Sequence, residues 1–216
     1  MASRDKSAEE NTGSVRVLLA SLNDGKLREY RELAGNSAVE LALIPNFNHL
    51  PPFDESAPTF AENAAGKALH FSAFASELLL ADDSGLVVPA LGGAPGVLSA
   101  RYAGPDATAE DRVRKLLREM EPFKGDQRRA RFVCVIALAR QRRLVAVLSD
   151  FVEGVIIGEP RGSAGFGYDP VFFVPELGRT FAEASAEEKN RYSHRGRAFR
   201  KALRFLGPAK NTLTPL

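Results

Sequence analysis

The chain has 216 residues, 44% hydrophobic and 26% charged, and its 29 Lys and Arg against 27 Asp and Glu leave a formal net charge of +2. This describes a soluble globular chain able to bury a substantial core, as one large domain or two lobes, and not one that wraps nucleic acid or lies on a membrane. Any anion site must therefore be local. Cys134, the single cysteine, lies in the apolar run Phe132 to Leu138; it can form no internal disulfide, reads as an inert core residue, and suits a reducing cytoplasm. No run is apolar and long enough to span a bilayer, and residues 1 to 14 lack the apolar centre of a signal peptide. They read as a disordered tail, and 207 to 216, which opens Gly-Pro, reads as a helix stop and loose terminus.

Val15 to Ala20 is a short aliphatic run, hence a buried strand. It leads into Ser21, Leu22, Asn23, Asp24, Gly25 and Lys26, after which Leu27, Tyr30 and Leu33 recur at helical spacing. A strand, a polar glycine-containing loop and a helix that starts on a lysine can hold phosphate through backbone amides, the Ser21 hydroxyl, the Asn23 amide and the Lys26 charge. The glycine spacing is not that of a Walker loop, and the same residues also describe an ordinary N-capped helix with a solvent lysine. Val39 to Ile44 suits a second strand, and the proline-rich loop Pro45 to Pro58 carries Asp54 and Glu55. Thr59 to Glu62 has the pattern of a capping box opening a helix that runs to about Leu79, with Phe60, Ala64, Ala68 and Phe71 on its buried face and Lys67 as a solvated lysine.

Leu78 to Leu86 is the stretch around which the chain is organised. An apolar run that stops at Asp82, Asp83, Ser84 and Gly85 reads as a strand delivering carboxylates to its carboxyl end, where ligands of open α/β sheets bind. Neighbouring strand residues face opposite ways, so both aspartates can reach one spot only through a bend, which Gly85 permits. A strand followed by a plain Asp-Ser-Gly turn explains the same residues. Next come a shaped loop with Gly92, Gly93, Pro95 and Gly96, and Arg101, suited to phosphate or to a surface carboxylate. Thr108 to Met120 is a capped amphipathic helix without assigned chemistry.

Arg131 to Ala139 and Leu144 to Val155 form a hairpin about Arg140 to Arg143, which makes the sheet mixed. Glycines at 162, 165 and 167 let backbone approach a ligand, Phe166 and Tyr168 offer flat surfaces to a nucleobase, and Asp169 could accept from ring nitrogens. A turn with two core aromatics is the alternative. A strand follows over Val171 to Val174. Ser185 and Glu188 cap a last helical stretch to Leu206, interrupted near Ser193, where Lys189, His194 and Arg195 gather at the break.

Taken together, Ser-x-Asn-x-Gly-Lys at 21 to 26, Thr-Phe-x-Glu-Asn-Ala at 59 to 64, Ala-Asp-Asp-Ser-Gly-Leu at 81 to 86, Leu-Gly-Gly-Ala-Pro-Gly at 91 to 96, Ser-Ala-Arg-Tyr at 99 to 102, Gly-Phe-Gly-Tyr-Asp-Pro at 165 to 170 and Ser-His-Arg-Gly at 193 to 196 resemble one family. It is the bacterial-type inosine/xanthosine triphosphate pyrophosphatases, and the resemblance spans residues 15 to 206, a single domain. It implies an α/β fold with an elongated mixed sheet flanked by helices, two lobes around a central cleft, and a cytoplasmic homodimer. The implied reaction is Mg²⁺-dependent hydrolysis of ITP, dITP or XTP to the monophosphate and pyrophosphate.

By motif, the resemblance makes Asp83 the general base and a Mg²⁺ ligand. Ser21, Leu22, Asn23, Asp24, Gly25 and Lys26 hold the triphosphate, and Ser84 contacts substrate. Phe166, Gly167, Tyr168, Asp169, Lys189, His194 and Arg195 surround the base. Asp54 aligns with the second metal ligand, although this chain reads Asp54-Glu55-Ser56-Ala57 where the family reads Glu-Glu-Thr-Gly, which leaves Glu55 open. Ser21 stands where Thr is common, and Leu98 where Tyr is. A non-catalytic nucleotide sensor, a phosphatase with an aspartyl nucleophile and a nucleic-acid-binding module are the competing classes; the intact Lys26 and Asp83, and the near-neutral charge, speak against the first and the last.

Overall fold

The computed structural model describes residues 14 to 207, apart from 36 and 38. Except for Ser14 and Gly207, the two expected tails lie outside the described residues. The elements in chain order are β1 (Val15–Leu19), α1 (Asp24–Ala34), β2 (Val39–Leu43), α2 (Phe60–Phe71), β3 (Leu78–Val87), α3 (Ala109–Glu119), β4 (Arg129–Arg140), β5 (Arg143–Ile156), β6 (Phe172–Val174), β7 (Arg179–Thr180), α4 (Ala186–Tyr192) and α5 (His194–Leu206). The strands make one mixed sheet of order β2-β1-β3-β4-β5-β6-β7. β1 is parallel to both its neighbours, and every pairing from β3 onward is antiparallel.

Side-chain alternation along β3 divides the core. Leu78 and Leu80 pack with Tyr30 of α1 and Phe199 of α5, whereas Leu79 and Ala81 pack with Ala64, Ala68 and Phe71 of α2. A third cluster, with Leu116 of α3, Phe132, Phe172 and Phe181, fills the far half of the sheet. No helix among the described residues is long and apolar enough to cross a membrane.

Several elements depart from the sequence reading. β3 does not stop at the carboxylates: it pairs with β4 without interruption from Leu79 to Val87, so Asp82 and Asp83 sit mid-strand. The ladder to β1 ends at Leu80, however, and beyond it that side of β3 has, among the described residues, no strand neighbour and only the single bridge from Val87 to Pro95. Gly85 supplies no bend. A side chain there would meet Ser99 Oγ at 2.4 Å and the Gly96 carbonyl at 2.5 Å, so the residue is small because the 96–101 turn presses on the strand. α2 ends at Phe71, not near Leu79, and a short 3₁₀ turn over Ser72–Phe74 leads into β3. Thr59 caps α2 by accepting from the Glu62 amide, while the Glu62 carboxylate turns to the Thr59 hydroxyl instead of completing a capping box. The hairpin closes on Gln141 and Arg142, both at positive φ (47° and 63°), as a two-residue turn requires. The strand expected from Val171 begins at Phe172, and the two-residue β7 carries too little pattern to be seen in the sequence.

Candidate active site

Where β3 outruns β1 it is bordered by the loop from Ser21 to Asn23 and the first turn of α1, from which Lys26 reaches Asp82. Asn23 caps α1, its Oδ1 accepting from the Lys26 amide at 3.0 Å, and its own amide donates to Ser21 Oγ at 3.2 Å. Lys26 is not a solvent lysine: its Nζ lies 2.9 Å from Asp82 Oδ2 with a side chain only 14% exposed. Gly25 is needed by Phe166, whose ring lies where a side chain would project. Leu22 is exposed.

Asp82 and Ser84 face α1 and α5. Burial by itself raises the Asp82 pKa, but Lys26 and Arg195 outweigh it and hold the carboxyl below its usual range. Arg195, at the start of α5, donates to Ser84 Oγ at 2.8 Å and is bonded to Glu29 of α1. Glu29 also takes Lys189 Nζ at 2.6 Å, and Lys189 is bonded to Asp169 as well. All four groups are buried. Burial works against the charge of Glu29, yet Arg195 and Lys189 keep its pKa lowered, whereas for Asp169 burial dominates and raises it.

Phe166 stands over this network, with Lys189 Nζ 4.6 Å from its ring centroid. Tyr168, in contrast, is a core residue whose hydroxyl donates to the Ser99 carbonyl at 2.9 Å, so of the two aromatics the half-buried Phe166 is the more accessible. Gly167 sits between them at φ 64°. His194 stacks on Phe132 at 4.7 Å and 10°. Burial and the neighbouring Arg195 and Lys189 push its pKa well below the usual imidazole value, which keeps it neutral. Among the described residues its Nδ1 has no hydrogen-bond partner. The break that gathers these residues is the Ser193 cap, whose Oγ accepts from the Gly196 amide.

Asp83 faces the other way, toward α2. Asn63 Nδ2 donates to it at 3.0 Å, and the same side chain clamps Ala57 through 3.0 and 3.3 Å bonds, tying the acidic loop to β3. Burial raises the Asp83 pKa to about 6, with Lys26 and Asn63 opposing and Glu55 and Asp82 adding to the rise. Glu55 is thus the member of the Asp54-Glu55 pair whose field reaches Asp83, while Asp54 is exposed. Lys67 Nζ meets Glu55 Oε1 at 2.5 Å with a side chain 13% exposed, so it belongs to the site and not to the solvated face. Arg101 donates to the Glu55 backbone carbonyl at 2.8 Å and, among the described residues, has no carboxylate at salt-bridge distance.

Two cavities adjoin the α1 side. The inner one is lined by Lys26, Ser84, Phe166, Lys189 and Arg195, and the outer, of about 690 Å³, by Asn23, Gly25, α3 and the 163–167 loop. Among the described residues no three His, Cys, Asp or Glu side chains gather into a metal cage. The donors present are the carboxylate oxygens of Asp83 and Glu55, and the Glu55 charge adds to the rise in the Asp83 pKa. That set fits Mg²⁺, which favours one or two carboxylates plus substrate phosphates and water over a full protein cage.

Sequence reasoning placed neither Glu29 nor Asn63 nor Lys67 in the site. Glu29 had only its place one turn after Lys26 to signal it; Asn63 stood within a quoted motif without a role.

Comparison with known proteins gives the family and the fold. Residues 17–205 match the model of the Ham1 family. The chain belongs to the Ham1 family. It is 47% identical over 185 residues to a protein of Geobacillus kaustophilus named dITP/XTP pyrophosphatase, covering 86% of this chain and 91% of that one. A protein of the same name from Thermus thermophilus is 49% identical over 189 residues, covering 88% and 90%. The solved structure of a HAM1 protein from Coxiella burnetii superposes with a TM-score of 0.81 at 42% identity, over 90% of this chain and all of the other. The family fold and this chain's mixed sheet are therefore the same.

Proposed function

We propose that this Ham1-family chain is a nucleoside triphosphate pyrophosphatase that hydrolyses deaminated purine nucleotides, ITP, dITP and XTP, to the monophosphate and pyrophosphate. The observation that carries the reading is the placement of Lys26 between two groups: the Phe166, Lys189, Asp169 and Arg195 cavity on one face of β3, and Asp83 with Glu55 on the other. A nucleotide laid over the open edge of β3 puts its base on the α1 face and its phosphates toward Asp83. Lys26 and the start of α1 take the phosphate chain. Asp83, ionised above about pH 6, accepts the proton of the attacking water as general base. Asn63 holds that carboxyl in place.

Mg²⁺ held by Asp83 and Glu55 would neutralise charge on the phosphates and on the departing pyrophosphate. The residues supply little positive charge for this themselves: five carboxyl groups (Glu29, Glu55, Asp82, Asp83, Asp169) surround four cations (Lys26, Lys67, Lys189, Arg195). Hypoxanthine and xanthine carry a 6-carbonyl where adenine carries an amine. Donors from Lys189 or Arg195 favour the carbonyl, and a buried donor left unpaired penalises the amine. Guanine shares the carbonyl, so its exclusion depends on its 2-amino group and the cavity wall. A cytoplasmic homodimer completes the reading, and light scattering checks the assembly.

The test is pyrophosphate release with Mg²⁺ from ITP and XTP against ATP and GTP at equal concentration. Release from the first pair alone supports the reading; orthophosphate as product, or indiscriminate release, overturns it.

A further inference from the structure

Four of the five cations that line the two cavities are matched by a carboxylate: Lys26 by Asp82, Arg114 by Asp111, Lys189 by Glu29 and Asp169, and Arg195 by Glu29. Arg112 of α3 is the exception. Among the described residues it has no carboxylate within salt-bridge distance; its Nη1 donates instead to the backbone carbonyls of Ala100 at 3.2 Å and Ala107 at 2.7 Å. Its Nη2 and Nε make no hydrogen bond among the described residues. Arg112 lines both cavities, as do Asn23, Phe166 and Gly167, so it stands with Phe166 where the inner cavity meets the outer one. Asn23 begins α1, so the phosphate-holding loop and Arg112 border the same space from two different elements.

Resting on the function proposed above, we propose that Arg112 is an anion-binding residue that contacts the phosphate chain of the nucleotide from the α3 side. Two carbonyls hold one nitrogen of the guanidinium and fix its plane, leaving the remaining donors for phosphate oxygens, the use to which its planar fork is suited. A cation already paired with a carboxylate gains less from an incoming anion than one that is not, because the existing partner competes for it. Arg112 therefore adds positive charge where the other cations are already paired.

The experiment compares the wild-type chain with Arg112→Gln and Arg112→Lys, measuring kcat and KM for ITP and XTP and binding of inorganic tripolyphosphate by calorimetry. Arg112→Gln is expected to raise KM for both nucleotides and to weaken tripolyphosphate binding by about tenfold, the scale of one charge-assisted hydrogen bond, with kcat little changed. Arg112→Lys is expected to keep most of the affinity. Unchanged KM with Gln overturns the proposal. So does an equal loss with Lys and Gln, which would make the residue a staple for the 100–107 loop, and so does a loss confined to XTP, which would move the contact to the acidic xanthine ring. A wild-type chain that turns over neither nucleotide would instead defeat the proposed function, and the tripolyphosphate titration would still decide the role of Arg112.

Discussion

Asp82 and Asp83 are consecutive residues whose carboxyl groups lie on opposite faces of β3, one in an ion pair with Lys26 at 2.9 Å and the other bonded to Asn63 at 3.0 Å. Burial opposes the charge of both, yet the outcomes are opposite. Lys26 and Arg195 compensate Asp82 and its pKa falls; Asp83, without a salt-bridge partner among the described residues, rises to about 6. Two adjacent acids thereby become a fixed charge that positions a lysine and a base poised near neutrality.

Asp83→Asn should lower kcat by about 10²- to 10⁴-fold, the usual share of a general base, while nucleotide binding persists. Steady-state rates alongside calorimetric nucleotide titration check it; near-normal turnover would remove Asp83 from the chemistry.

The raised Asp83 pKa has a signed consequence. The folded chain holds this proton more tightly than the unfolded one, so the stability this group contributes is fully present below its ordinary value of 3.8 and is lost as pH rises through about 6. Activity runs the other way, rising through the same window as the base ionises. A divalent cation favours the ionised form, so the acidic limb of the kcat/KM profile should move to lower pH at saturating Mg²⁺. Asn63→Ala removes a bond to the carboxylate and should move it to higher pH.

Glu55→Gln should raise the Mg²⁺ concentration required for half-maximal rate by at least about tenfold, the scale for losing a carboxylate from a cation site. Asp54→Asn should change it little. Magnesium titrations of both variants decide which acid serves the cation, and the reverse order would restore Asp54 as the ligand.

Glu29→Gln keeps the shape of the side chain but strips the shared counter-charge from buried Lys189 and Arg195. The expected cost is roughly 3 kcal/mol of stability, together with reduced preference for ITP over ATP. Urea denaturation and paired kinetics read the two effects; an unchanged midpoint would mean that the network contributes nothing to folding.

The local elements were legible where a short-range rule suffices. The capped start of α1, the capped helix from Thr108, the Ser185 cap and the hairpin about residues 140 to 143 are each decided within a few residues of chain, and the structure has them. The run from Leu78 misled because strand length is decided by pairing. β4 supplies a partner as far as Val87, and a polar residue remains in a strand when its ladder bonds are made.

The sequence by itself determined that Lys26, Asp83, Phe166, Lys189 and Arg195 stand in motifs whose order marks the family, because residue identity and local spacing are one-dimensional facts. Only the tertiary structure decided which charges neutralise one another. Glu29 and Arg195 are 166 positions apart, and Lys67 and Glu55 join a helix to a loop. Whether a lysine is a solvated side chain or part of a site depends on the partner the fold delivers to it, since burial makes an unpaired charge too costly to keep.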